Sequence, residues 1–214
     1  MNRNKLERRN LTFEVRAEDQ DCGHILTGRP VVYNSRTDIG PFDEIIEPGA
    51  LDRTDLTDVR FLVNHNLSMI PLARSRRNNG NSTMQLSVDA QGLSLDRADL
   101  DIENNADARA LYSAVQRGDI TGMSMLFSVT DEEWEGLETE HPTRRIKEIG
   151  SIVEISAVIF PAYDATAINA RGKDALESAQ AALESVRQKR GVEVETSAEL
   201  ELEKAKLEMR RLRA

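Results

Sequence analysis

One cysteine, three histidines and nine aromatic residues in 214 close off several kinds of protein before any motif is read. A lone Cys22 forms no internal disulfide, and with histidines scattered at positions 24, 65 and 141 it makes no zinc cluster. Stability must then rest on packing, and neither a metal nor a cofactor is expected. Long apolar runs are missing too: stretches such as 155–162 fall far short of the ~20 residues that cross a bilayer. The opening Met1-Asn2-Arg3-Asn4-Lys5 has no apolar centre of the kind a signal peptide carries, so a cytoplasmic product with no membrane partner is expected. A basic excess is absent as well. The net charge of −9 argues against broad phosphate neutralisation, so nucleic acid is not an expected partner. The nearest approach to a basic patch, Arg74-Ser75-Arg76-Arg77, abuts Asn78-Asn79-Gly80-Asn81 and reads as a solvated, turn-rich loop.

What is present fits a globular chain with one good core and an appendage: 39% hydrophobic and 30% charged residues. The texture changes once, near Arg171. All aromatics and prolines lie before it, and the residues after it are rich in Ala, Glu, Leu, Lys and Arg. In 173–214 nine basic and nine acidic residues cancel, so the whole excess of −9 belongs to the body. Three parts are expected: a flexible N-terminal segment, 1–10; a body, 11–172; and a helical, partly ordered tail, 173–214.

The body reads as mainly β with some α. Residues 11–16, 84–88 and 92–95 alternate apolar and polar, as strands with one buried face do, and Asp89-Ala90-Gln91-Gly92 supplies the turn of a hairpin. The more continuously apolar 60–63, 123–129 and 152–160 read as central strands. One helix stands out, over 106–117: Asn105 caps it, Ala108, Leu111 and Val115 share a face, and Gly118 ends it. A predominantly antiparallel barrel or curved sheet with one or two covering helices accounts for the pattern. In the tail, Leu176, Ala179, Leu183 and Val186 form one narrow apolar stripe, and Ala198, Leu202, Ala205, Met209 and Leu212 form another. Thr196-Ser197-Ala198-Glu199 has the spacing of a capping box for the second helix. Without an aromatic residue neither helix builds a core alone, and both are expected to seek a partner.

Two polar residues sit where the pattern favours hydrophobes. His65 follows the apolar run 61–63 between Asn64 and Asn66, and Ser124 lies two residues after Gly122 at the opening of an apolar strand. A serine hydroxyl is a poor nucleophile until an imidazole takes its proton, so the pair suggests acyl transfer. Taken singly, each is an ordinary turn or strand residue. Cys22 with His24 is a weaker thiol alternative, because residues two apart on an extended segment point the same way without being poised for proton transfer.

From about Phe13 to Arg171 the chain resembles the prohead (capsid maturation) serine proteases of tailed bacteriophages. Five blocks carry the likeness in order: Phe42-Asp43-Glu44-Ile45-Ile46-Glu47-Pro48-Gly49-Ala50-Leu51, Val63-Asn64-His65-Asn66, Asp89-Ala90-Gln91-Gly92-Leu93, Gly122-Met123-Ser124-Met125-Leu126-Phe127, and the run from Val153 through Glu154 and Ser156 to Pro161 and Tyr163. The resemblance implies a serine endopeptidase related in fold to the herpesvirus assembly proteases, with a closed antiparallel barrel surrounded by helices. By that likeness Ser124 is the nucleophile and His65 the general base. The herpesvirus relatives use a second histidine as third member. Glu154 stands in the corresponding strand here, and a carboxylate there is chemically adequate, holding the imidazole in the right tautomer. His141, in a polar loop before Pro142, is the competing candidate. The oxyanion donors stay unassigned, since 160–164 departs from the arginine-bearing segment of the herpesvirus relatives.

The implied partners are the major capsid protein with its scaffolding segment, and the enzyme itself through autoprocessing, inside the prohead assembling in the host bacterial cytoplasm. The tail stripes would then dock on helical scaffold segments, and the junction Arg171-Gly172-Lys173 would be open to self-cleavage. Two other classes stay open: a non-catalytic assembly protein keeping the barrel as a binding module, and a small-ester hydrolase. The second lacks the Gly-x-Ser-x-Gly elbow and the alternating strands and helices that its usual fold requires.

Overall fold

The computed structural model describes residues 6–11, 15–20, 23–159 and 173–191. They form a mixed α+β structure, mostly strands, with two α-helices. The larger sheet is built on a long antiparallel hairpin of β10 (Gly122–Glu135) and β11 (Thr143–Val158). Its far edge continues through β5 (Asp43–Ile46) to β4 (Arg36–Asp38), and β1 (Leu6–Leu11) pairs on the outer side of β10. The C-terminal half of β11 instead takes β6 (Arg60–Val63) as a parallel neighbour, and β7 (Ala73–Arg74) pairs with β6. The smaller sheet has the order β2 (Val15–Gln20), β3 (Gly23–Val32), β9 (Gly92–Leu100), β8 (Met84–Asp89). The ladders among the described strands trace these two sheets and no closed ring. Residues 6–10, read above as flexible, are paired strand, and their neighbour is the strand that carries Ser124.

The apolar run read at 123–129 is central for a physical reason: residues 122–128 are buried on both faces of the strand. One core joins both sheets and helix α1 (Ala106–Gln116), drawing on Leu26, Phe61, Leu95, Met125, Phe127 and Ile155. The α1 cap is as expected: the Asn105 side chain accepts from the backbone of Asp107 at 3.0 Å and Ala108 at 3.2 Å. Ala108, Leu111, Tyr112 and Val115 are its buried face.

The hairpin between β8 and β9 turns at Asp89, whose carboxylate accepts from the backbone of Gln91 (2.7 Å) and Gly92 (3.1 Å) and from both terminal nitrogens of Arg29. Gly92 itself is required there, because a Cβ would lie 2.2 Å from the Val31 carbonyl oxygen and φ is +139°. The Arg29 bond and these amides hold the Asp89 carboxyl down to about 2. A depressed carboxylate contributes stability that is fully present above its unfolded value near 3.8 and is lost as pH falls through about 2. Stability curves of wild type and Asp89→Asn should therefore converge as pH drops across that window; a gap independent of pH would refute the linkage.

Helix α2 (Lys173–Arg190) packs at the tip of the β10–β11 hairpin. Ala179 and Leu183 bury against Phe42, Trp134 and Leu137, with Val186 alongside. Arg187 donates to the carbonyls of Leu137 (3.0 Å) and Thr139 (2.6 Å), caught at the tip of the β10–β11 turn. The aromatics that the tail lacks are supplied by the body. The second stripe, 198–212, and its capping box lie outside the described residues, as do Cys22 and the 171–172 part of the junction.

Candidate active site

The site is assembled on β11. In a strand, residues two apart share a face, which puts Glu154 and Ser156 side by side, and the register sets Ser124 of β10 directly opposite Ser156. On the other edge β6 runs parallel to β11 as far as Val63, opposite Ala157. The chain then reverses through two consecutive non-glycine residues in the left-handed region, Asn64 at φ +49° and His65 at φ +57°. Such a pair costs on the order of 1–2 kcal/mol per residue and persists only where its surroundings over-determine it. They do so here: Asn64 donates its backbone N–H to Ala157 O (3.0 Å), its side-chain oxygen accepts from Ile159 N (3.2 Å), and His65 donates its backbone N–H to the Ser156 hydroxyl (3.0 Å). The result swings the imidazole back over β11.

There its two nitrogens meet two different groups. Nε2 lies 2.5 Å from the Ser124 hydroxyl, and Nδ1 is in direct contact with Glu154 Oε1. The other Glu154 oxygen accepts from the Ser156 hydroxyl at 2.6 Å. Ser124, Glu154 and Ser156 are fully buried, and the His65 side chain is 9% exposed. A carboxylate so completely removed from water must have its lone pairs engaged, and here each oxygen has a donor. With the carboxylate at Nδ1, the proton of a neutral ring belongs on that nitrogen, which leaves the Nε2 lone pair facing the serine. Chemically the arrangement can strip a proton from a hydroxyl and stabilise the cation that results.

The sequence model of the caudovirus prohead serine proteases matches residues 11–180, most of the chain. The chain belongs to that family. It is a serine peptidase of capsid maturation. No curated protein and no solved structure matches it.

In this prohead protease the three residues singled out from sequence, His65, Ser124 and Glu154, converge on one hydrogen-bonded line although 59 and 89 residues separate His65 from the other two. His141 does not join them: it is exposed at the opposite end of the hairpin, with Nε2 3.2 Å from Asp43 Oδ1. His24 is also elsewhere, on β3 of the smaller sheet, edge-on to the Tyr112 ring at 5.0 Å. Asp38, Asp43 and His141 bring three potential ligand atoms within 4.8 Å of one another, but Asp43 already pairs with Arg36 at 2.6 Å, and the group lies apart from the serine. No helix among the described residues is long and apolar enough to cross a membrane.

Sequence reasoning passed over Ser156. It is the residue that ties the backbone of the histidine to the carboxylate, accepting from one and donating to the other. The available signal was its spacing: two residues beyond Glu154, on the same face. A charge-assisted hydrogen bond is worth about 1.5–3 kcal/mol, so Ser156→Ala should lower kcat about 10- to 100-fold. As a positioning effect it should leave KM unchanged and be partly restored in Ser156→Thr. A KM defect with normal kcat would contradict that role.

Proposed function

We infer that this protease is an endopeptidase acting through a Ser124–His65–Glu154 triad on the scaffolding segment of the major capsid protein and on itself. What carries the reading is the pair of contacts that the imidazole makes, one to the hydroxyl and one to a buried carboxylate. His65 Nε2 takes the Ser124 proton as Oγ bonds to the scissile carbonyl carbon. The resulting imidazolium, stabilised by Glu154, passes that proton to the departing amine as the C–N bond breaks. The acyl ester left on Ser124 is then hydrolysed by water, with His65 again as base, and the free serine returns.

The family and the host-cell setting of a phage capsid support an assembling prohead as the place of action. The herpesvirus-like barrel remains part of this proposal, as do the 11–172 catalytic unit and self-cleavage near Arg171; with the first tail stripe buried on the body, the link to scaffold helices falls to the second, 198–212. Co-expression with the major capsid protein of the same phage tests the triad and the substrate: mass spectrometry should find scaffold-free capsid protein with wild type and intact protein with Ser124→Ala, His65→Ala or Glu154→Gln. Equal processing by Ser124→Ala would overturn the assignment.

A further inference from the structure

A cleft of about 470 Å³ opens beside the proposed base, between the turn after β6 and helix α1. Asn64, Asn66 and Met69 form one wall, so the cleft begins one residue from His65 on either side. The facing wall is α1, presenting Asp107, Ala110 and Ala114, which share one side of the helix through their spacing of three and four. Leu111 and Ile120 make the lining mainly apolar. Its volume is that of a ligand site, larger than a packing defect.

Two further observations give it a purpose. Ala110 is exposed, where nothing in the core requires a small residue, yet any longer side chain there would grow into the cleft. And among the described residues, three of the five exposed large hydrophobics stand around the same turn: Leu67 at 56%, Ile70 at 81%, and Ile159 at 49%, whose amide is bonded to Asn64. Apolar surface gathered beside a reactive centre is a recognition surface.

We propose that this cleft is a specificity subsite: it takes one aliphatic or aromatic side chain of the substrate polypeptide, within a few residues of the scissile bond, and Asp107, the charged residue lining it, disfavours Asp and Glu there. The inference rests on the endopeptidase reading above. An apolar pocket distinguishes side chains of different size by roughly 10- to 200-fold in kcat/KM.

The test is to expose the full chain to a peptide library made by digesting a proteome with a second protease, and to read the new ends by mass spectrometry. Wild type should show a position near the cut enriched in Leu, Ile, Met and Phe and depleted in Asp and Glu. Ala110→Leu should move that position toward Ala, Gly and Ser, lowering kcat/KM on a Leu-bearing peptide by roughly 10- to 200-fold while sparing an Ala-bearing one. Asp107→Asn should lift the acidic depletion alone, and it serves if Ala110→Leu fails to fold. Ser124-dependent cleavage with no apolar preference, or with a preference that neither variant alters, overturns the subsite and leaves the endopeptidase standing. Cleavage by wild type no greater than by Ser124→Ala overturns both.

Discussion

Ser124→Ala and His65→Ala should each lower kcat on a cleaved peptide by a factor on the order of 10³ to 10⁶, and the double variant should be no slower than either single one. Non-additivity is the informative part, because a nucleophile whose base is missing and a base whose nucleophile is missing fail for the same reason. Glu154→Gln should cost about 10⁴, since a carboxamide can donate to Nδ1 and so favour the tautomer whose proton points at Ser124 instead of its lone pair. Circular dichroism should stay that of the wild type for Ser124→Ala, which removes one oxygen and keeps the strand pairing. Cleavage by Glu154→Gln at the wild-type rate would remove the carboxylate from the mechanism.

The second large effect concerns stability and lies away from the serine. Arg144, with a side chain 3% exposed, is enclosed by Glu7 (2.5 and 3.0 Å), Glu44 (3.0 Å) and Glu132 (2.7 Å), and its guanidinium lies 5.7 Å from the Trp134 ring centre. Burial alone would lower its pKa, but the Glu7 bond and the surrounding carboxylates more than offset this and hold it above the ordinary arginine value. Arg144→Met takes away the guanidinium from which the buried carboxylates of Glu7 and Glu44 both accept. Breaking a buried pair from one side costs about 3–5 kcal/mol, a large part of the roughly 5–15 kcal/mol that holds a domain folded. Urea unfolding should show a much lower midpoint with an unchanged slope. Adding Glu44→Gln to Arg144→Met should recover part of the loss, because the second change removes a buried charge that has lost its bond to Arg144. A midpoint within error of wild type would mean that the cluster is solvated and contributes little.

Much of this was legible from residue order. Asp89 and Gly92 announce the β8–β9 turn by chemistry confined to four residues, Asn105 announces the start of α1, and the run 60–63 is β6 to the residue. His65 and Ser124 stood out because each interrupts an apolar stretch with a group that is costly to bury, whereas Glu154 was marked only by the resemblance to the prohead proteases. What escaped was of two kinds. Strand β3 carries Gly28 and Pro30, which argue locally against a strand, yet the register slips between Gly28 and Val31 let the sheet carry them. The Arg144 cluster joins residues 137, 100 and 12 positions apart, and no local pattern marks an arginine as the partner of a glutamate from the first strand. Helix α2 shows the same limit: its stripe was plain, but the aromatic surface that receives it is spread over Phe42 and Trp134.

The strand order also dictates when reactivity can arise. Ser124, Glu154 and Ser156 share one hairpin, whereas His65 arrives on β6 from a remote part of the chain and reaches its place only once β6 has docked in parallel against β11. Pairings between distant segments form late because closing long loops is entropically slow. A chain in which β6 has not yet docked thus holds the Ser124 hydroxyl without the base proposed for it. On the triad proposed above, peptide hydrolysis must await completion of the sheet, so the order of strand pairing sets the earliest moment at which the enzyme can act.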